Sequence, residues 1–512
     1  MLSHVDVLRR NASAYGPRVA ITSEGGVDLT YAELERVTNS LANALADAGL
    51  RPGQRLVWLD RNSADFLIAY YATAKAGMTF TALNAWLRAR ELAPQLELLG
   101  PAVVVAGASF TEAIDQAAAG LDIPHRFVRD GSAGGPEWAS WAQFAAAGDP
   151  ARPPAVDNDE NRLHEIVFTS GTTGQAKGVM RTQRGRILDS LFAALGYQLN
   201  RDDHLLAILP QFHVGGGAVA NQLLVQGGRV TILRQYDPLA MAKALAAGVT
   251  YIVGVPAHYS LLFESGHLDG VDTSCVRGVY VGGSTATPTL FHALRKNFPG
   301  AELVHGYGST ESGPHTLALR GQAFLDHFGS LGLPVAGTET RVVTKAGTNA
   351  ADDEVGELWV RSDSVMSGYL GRPDLTAEAF ADGGWLKTGD LVRRAADGYF
   401  TLVDRAKDMI ISGGENVYPH EVEDVIATFP NIAEVAVVGA PDPVYEERAI
   451  AFVRLADPAQ PLDEAALRAF VRERLAGFKV PRAFRVIDEL PRTGVGKVSK
   501  PQLRELLAGE SA

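Results

Sequence analysis

Short apolar runs alternate with longer amphipathic stretches along most of this chain. That alternation, more than any other feature, limits what it can fold into. Thr30 to Gly49 reads as a helix: Thr30 and Glu33 form a capping box, Leu34, Val37, Leu41 and Leu45 make one apolar stripe, and Gly49 suits the C-cap. Leu56 to Leu59 reads as a short buried strand and Ser63 to Gly77 as the next helix. Val103–Val105, Leu205–Leu209, Val230–Leu233, Tyr251–Val255 and Val279–Val281 repeat the strand pattern, with helical stretches between most of them. The expectation is an α/β fold of layers with mainly parallel sheets.

At 512 residues the chain exceeds one ordinary domain and suits a large domain followed by a smaller one. From about residue 408 the pattern restarts on a smaller scale, at a size fitting a small α+β domain. Val435–Val438, Ile450–Val453 and Phe484–Ile487 read as strands, Asp463–Leu475 and Lys500–Leu507 as helices. Gly148 to Pro154, with three prolines, reads as an exposed connection. A net charge of -12 argues against a general nucleic-acid binder, which needs an excess of Lys and Arg. Cys275, the only cysteine, excludes an intrachain disulfide and a cysteine metal cluster, and its expected role is that of an inert structural thiol, usually buried. The first residues lack a basic stretch leading into an apolar core, and no apolar run approaches about 18 residues. A soluble cytoplasmic protein with no membrane span is expected.

The strand Ile166-Val167-Phe168 runs into Thr169-Ser170-Gly171-Thr172-Thr173-Gly174-Gln175-Ala176-Lys177-Gly178. Glycines let backbone N–H groups approach phosphate oxygens, hydroxyls donate hydrogen bonds, and lysine adds charge. The string is neither a Walker loop nor a dinucleotide fingerprint. It closely resembles the signature of the adenylate-forming superfamily, which holds acyl-CoA synthetases, amino-acid adenylation domains and beetle luciferases. Ala176 stands where relatives usually carry Pro, and Gln183 where many carry His. Further motifs follow in the family's order as far as Lys497.

The resemblance implies roles. Gly283 and Ser284 would pass along adenine. In His305-Gly306-Tyr307-Gly308-Ser309-Thr310-Glu311, Tyr307 would stack on adenine beside Gly308, Thr310 would donate to the phosphate and Glu311 would hold Mg²⁺, a cation that takes oxygen ligands. Asp390 would accept from both ribose hydroxyls and Arg405 would add a second ribose contact. Lys407 would be the hinge, dividing an AMP- and acyl-binding domain over 1–406 from a mobile domain over 407–512. Gly413 and Gly414 would line the tunnel for the thiol arm of coenzyme A. Lys497 would bridge the carboxylate and the α-phosphate.

Leu209 to Gly217 is similar to the acyl-pocket block, implicating Phe212, His213, Gly216, Gly217 and Val281. His213 stands where amino-acid adenylation domains usually place Asp, and Gly215–Gly217 remove side-chain bulk. An apolar monocarboxylate is expected, a medium or long fatty acid first and an aromatic acid second. The implied enzyme is an AMP-forming acyl-CoA synthetase using ATP, Mg²⁺ and coenzyme A. The sequence leaves open a free acyl carrier protein as alternative acceptor and a homodimer as assembly; no fused carrier domain is expected.

Overall fold

The computed structural model describes residues 2–24, 28–131, 135, 137–154, 158–169, 176–283, 287–412, 415–442, 446–493 and 497–510, the side chains of 509 and 510 excepted. The chain divides into two compact units. The first comprises Met1–Thr169, Ala176–Thr340 and Val360–Leu386; the second includes Arg341–Trp359 and Lys387–Ala512. The second thus begins twenty residues before Lys407 and takes in an earlier stretch as well.

Two sheets build the first unit. Among the described residues one has nine strands, in the order Leu333–Pro334, Gly313–Arg320, Glu302–Ser309, Gly278–Gly282, Tyr251–Gly254, His204–Ala207, Arg229–Ile232, Val19–Ser23 and Asp28–Thr30. Its interior pairings are parallel, and antiparallel strands close both edges. The other has eight, from Gly368–Tyr369 through Lys177–Thr182, Leu163–Thr169, Thr79–Ala82, Arg55–Leu59, Val103–Ala106 and His125–Val128 to Ala139–Ser140. It too is parallel except where Lys177–Thr182 pairs with Leu163–Thr169 and with Gly368–Tyr369. Parallel strands buried on both faces explain the uninterrupted apolar runs: Val103, Val104, Val105 and Ala106 are all buried.

The expected helices form with small shifts at their ends. Tyr31–Asp47 starts after Thr30, whose side chain accepts from the Glu33 N–H while the Glu33 carboxylate accepts from the Thr30 N–H, and Gly49 beyond the end takes φ +82°. Ala64–Lys75 is capped by Ser63. The connection near residue 150 departs from expectation at its start. Gly148 is buried, its carbonyl accepts from Ser40 Oγ, and Asn43 donates to the carbonyls of Asp149 and Arg152. Cys275, in contrast to the usual burial of a free thiol, is exposed. No helix among the described residues is long and apolar enough to cross a membrane.

In the second unit, Glu446–Leu455 pairs antiparallel with Ile432–Asp442 and parallel with Ala483–Val486, and Ile410–Ser412 pairs with Glu415–Val417. Glu464–Arg474, capped by Asp463, and Pro419–Ala427 supply Leu467, Val471, Val422 and Ile426 to a core with Val437, Ala451 and Val453. The strands and helices expected there are all present.

The cap on Tyr31–Asp47 can be tested directly. Thr30→Ala leaves the Glu33 N–H without its side-chain acceptor and should lower the unfolding free energy by about 1 kcal/mol in a denaturant titration. Unchanged stability would mean the cap does not hold that helix end.

Candidate active site

The first unit gathers four of the expected site residues through strand pairing. Thr169 and Lys177 face each other at one end of an antiparallel ladder. Ser170, Gly171, Thr172, Thr173 and Gly174 of the expected phosphate loop lie outside the described residues, as do Ser284, Gly413 and Gly414. On the far side of Lys177–Thr182, Tyr369 pairs with Val179. The Tyr369 hydroxyl donates to Glu311 Oε1 at 3.0 Å, and Lys177 Nζ lies 5.0 Å from the Tyr369 ring centroid. Burial and the neighbouring Glu311 carboxylate both raise the Tyr369 pKa, keeping the phenol a donor. Lys177, Thr310 and Glu311 are therefore brought together around a tyrosine that motif reading passed over.

The turn carrying Thr310 and Glu311 is tightly held. Ser309 and Ser312 exchange hydrogen bonds, each backbone N–H donating to the other's Oγ at 3.1 and 3.0 Å. Thr310 is buried, and its carbonyl accepts from Arg181 Nη1 at 2.8 Å. The Glu311 carbonyl accepts from the Met366 N–H. Tyr307 lies opposite Leu317 on the antiparallel neighbour, and the register shifts between Tyr307 and Ser309. Gly308 sits at that irregularity, where an added Cβ would fall 2.2 Å from the Gly313 carbonyl oxygen. Gly283 ends the strand Gly278–Gly282 at φ +80°, a conformation glycine adopts without strain.

The acyl-pocket block reads differently in space. His213 is the N-cap of the helix Val214–Gln226, its Nδ1 accepting from the Gly215 N–H at 3.2 Å. A Cβ on Gly216 would meet the Pro210 carbonyl oxygen at 2.0 Å, and one on Gly217 the Gln211 carbonyl oxygen at 2.7 Å. These glycines let the helix close onto Leu209–Gln211; the space their missing side chains leave is filled by backbone, which corrects the reading of Gly216 and Gly217 as removed bulk. Val281 is fully buried in its strand. Phe212 is half-buried and meets Trp86 edge-on, centroids 5.2 Å apart at 88°. Trp86 itself is 58% exposed, unusual for so large an apolar ring.

The second unit holds the other group. Asp390 and Arg405 are cross-strand partners, which puts their side chains opposite each other. Arg405 Nε lies 2.6 Å from Asp390 Oδ1, with the carboxylate buried and the guanidinium half exposed. Thr388 Oγ accepts from the Asp390 N–H and donates to the Leu358 carbonyl, pinning the bend before the carboxylate. The Lys497 carbonyl accepts from the Thr493 N–H, and the Ser499 N–H donates to the Pro491 carbonyl, both at 2.7 Å. Lys497 keeps solvent access, yet protein crowds its ammonium: desolvation lowers its pKa, Arg405 lowers it further and Asp390 opposes both. Lys407 is shifted the same way, by desolvation first and with Asp408 opposing.

Comparison with known proteins gives the family. The AMP-binding enzyme family profile covers residues 8–370, and that of its C-terminal domain covers 421–497. The chain belongs to the AMP-binding enzyme family. A feruloyl-CoA synthase of Amycolatopsis sp is 36% identical over 490 residues, covering 95% of this chain and 96% of that protein. A long-chain-fatty-acid–CoA ligase of Mycobacterium tuberculosis, FadD13, is 33% identical over 509 residues, 98% of each chain. The o-succinylbenzoate CoA synthetase of Bacillus subtilis, solved with its acyl-adenylate intermediate, superposes with a TM-score of 0.85 at 27% identity over 97% of both chains. The same enzyme has been solved with ATP and a magnesium ion. This AMP-binding enzyme also fits Mg²⁺ by its donor set. Among the described residues no group of three or more His, Cys, Asp or Glu could cage a metal. A single carboxylate such as Glu311, joined by substrate phosphates, is the mode Mg²⁺ commonly uses.

Two glycines separate packing from tolerance. Gly216→Ala should lower the melting temperature by several degrees, whereas Gly215→Ala, whose added Cβ meets nothing closer than 3.4 Å, should melt with the parent. Equal melting of both variants would contradict the close approach of the helix.

Proposed function

We propose that this AMP-forming acid–thiol ligase activates an apolar monocarboxylate, an aromatic acid ahead of an aliphatic one, and passes it to coenzyme A. The observation carrying the chemistry is the grouping of Lys497 with the Asp390–Arg405 pair. In the first step a carboxylate oxygen attacks the α-phosphorus of ATP; the bond to the bridging oxygen breaks and pyrophosphate leaves. Negative charge accumulates at the crowded phosphorus, and a lysine ammonium held near the ribose-binding carboxylate offsets it. Thr310 and Lys177 would act on phosphate oxygens, and Tyr307 would stack on adenine. Glu311 would hold Mg²⁺, which supplies charge neutralisation to the phosphates. In the second step the thiolate sulfur of coenzyme A attacks the acyl carbonyl carbon, the C–O bond to AMP breaks, and AMP leaves. Gly413 and Gly414 along the thiol arm and Lys407 as pivot belong to the same proposal, as does a cytoplasmic setting.

The order of acids rests on Trp86 and Phe212. An edge-on aromatic pair, one ring largely in solvent, offers a third ring both a face and an edge. The feruloyl relative supports an aromatic acid and the long-chain relative an aliphatic one. Supplied with ATP and Mg²⁺, the enzyme should release AMP only when acid and coenzyme A are both present, with a hydroxycinnamate giving higher kcat/KM than a C8–C16 fatty acid. Trp86→Ala should raise KM for the hydroxycinnamate more than for the fatty acid. Faster turnover of fatty acids would reverse the order, and pyrophosphate formation without thiol-dependent AMP release would indicate a carrier-protein acceptor.

Lys497 also predicts a pH profile. Its ammonium must be protonated to offset charge, and its folded pKa lies below the ordinary 10.5. Rising pH therefore removes the charge early, and pyrophosphate exchange should fall on an alkaline limb below that value. Lys497→Arg should move the limb upward, since guanidinium stays charged, and Lys497→Ala should slow exchange by roughly a hundredfold to a thousandfold. An unmoved limb in Lys497→Arg, or a parental rate in Lys497→Ala, would remove Lys497 from the first step.

A further inference from the structure

We propose that Arg181 and Tyr369 act as a two-point clamp on Thr310–Glu311, Arg181 fixing the backbone and Tyr369 the carboxylate, and that this clamp sets the Mg²⁺ affinity of Glu311. The proposal rests on Glu311 being the metal carboxylate. Arg181 lies in the strand Lys177–Thr182 and is 1% exposed. Its Nη1 donates to the Thr310 carbonyl at 2.8 Å and its Nη2 to the Ser364 carbonyl at 2.6 Å. One planar guanidinium thus joins the turn that carries Glu311 to the segment that leads into Tyr369, and its rigid fork fixes the angle between them. Tyr369, on the neighbouring strand, then reaches back to Glu311 Oε1. The carbonyl just before Glu311 and the Glu311 side chain are thus held by two residues of one strand pair.

An arginine buried against neutral carbonyls is costly. Burial and the like charge of Arg186 push its pKa down to about 10, with Asp189, Glu165 and Tyr70 opposing. The compensating charges are themselves buried: Arg186 pairs with Glu165 and lies 3.6 Å from Asp189. Apolar side chains of similar volume would fill this space at no such cost, so packing alone does not account for the cluster. It also abuts the turn. Gly313, at φ +95°, has Asp189 Oδ1 2.8 Å from where a Cβ would stand. Mg²⁺ demands near-ideal octahedral geometry and gives up water reluctantly, so a carboxylate held in one orientation binds it better than one that must be ordered first.

The test uses the full chain and two readouts: the Mg²⁺ concentration for half-maximal pyrophosphate exchange, and calorimetric binding of ATP with Mg²⁺ and with EDTA. Tyr369→Phe keeps the ring under Lys177 and removes one O–H. It should raise the Mg²⁺ half-saturation roughly tenfold, the loss of one hydrogen bond to a charged group. ATP affinity in EDTA and the melting temperature without ligand should match the parent. Arg181→Lys should keep part of the Mg²⁺ affinity, and Arg181→Met combined with Asp189→Asn, which removes the two charges together, should lose it while melting as a folded protein. A parental Mg²⁺ requirement in Tyr369→Phe, alongside a raised one in Glu311→Gln, would overturn the clamp. A parental requirement in Glu311→Gln would overturn the metal assignment beneath it.

Discussion

The antiparallel ladder between Leu163–Thr169 and Lys177–Thr182 is the constraint on which the first unit's chemistry depends. Its outer strand presents Lys177 at one end, Arg181 near the other and a pairing edge to Gly368–Tyr369 between them. Because side chains alternate faces along a strand, Lys177, Val179 and Arg181 share one face. The register that sets Thr169 opposite Lys177 therefore also sets where Arg181 meets Thr310 and where Tyr369 meets Glu311. A slip of one residue would turn all three away together. The paired ions Arg186 and Glu165 oppose such a slip, since Glu165 belongs to the inner strand and Arg186 to the helix Gln183–Tyr197 that continues from the outer one.

Charge is distributed unevenly within the second unit, and that unevenness has a chemical meaning. The whole chain carries -12, yet Arg405, Lys407 and Lys497 stand close enough that each lysine feels Arg405 unfavourably. Asp390 is the carboxylate that opposes both shifts. Three cations around it leave an excess of positive charge that an anion relieves, and a nucleotide phosphate joined to a carboxylate is such an anion. The depressed lysine pKa values have desolvation as their first cause, and the like charge of Arg405 adds to it. Asp390 is spared competition from water by burial, while the Arg405 guanidinium paired with it stays half exposed.

How far all this could be read from the chain depends on the range of the interactions involved. Helix Tyr31–Asp47 was legible because its cap lies three residues from its partner, and Val103–Ala106 because a strand buried on both faces is apolar without interruption. Lys497, Asp390, Arg405 and Glu311 were legible as members of strings. Tyr369 and Arg181 were not, because their partners lie 58 and 129 positions away and no local pattern encodes such a pairing. Arg181 stands among Lys177, Arg184 and Arg186 and reads as surface; only Glu165, its cross-strand partner, is a charge beside an apolar run, Ile166–Phe168. Charge buried beside such a run is either paired or functional.

The glycines of the acyl block carry a related lesson about inference from small side chains. Three in a row suggest vacancy, but Gly216 and Gly217 are small because Pro210 and Gln211 carbonyls occupy the adjoining space, and His213 is committed to capping the helix they begin. A segment bound so closely to its own backbone has little freedom to reshape itself around different acids. Under the proposed order of acids, selection falls to side chains that border the block without holding it together. Phe212 and the exposed Trp86 have that freedom: neither is fully buried, and their mutual edge-on contact can be extended or replaced by another ring. The phosphate-handling strings and the Trp86–Phe212 pair thus occupy separate parts of the first unit, and a family can keep the former while its members differ between feruloyl and long-chain acyl substrates.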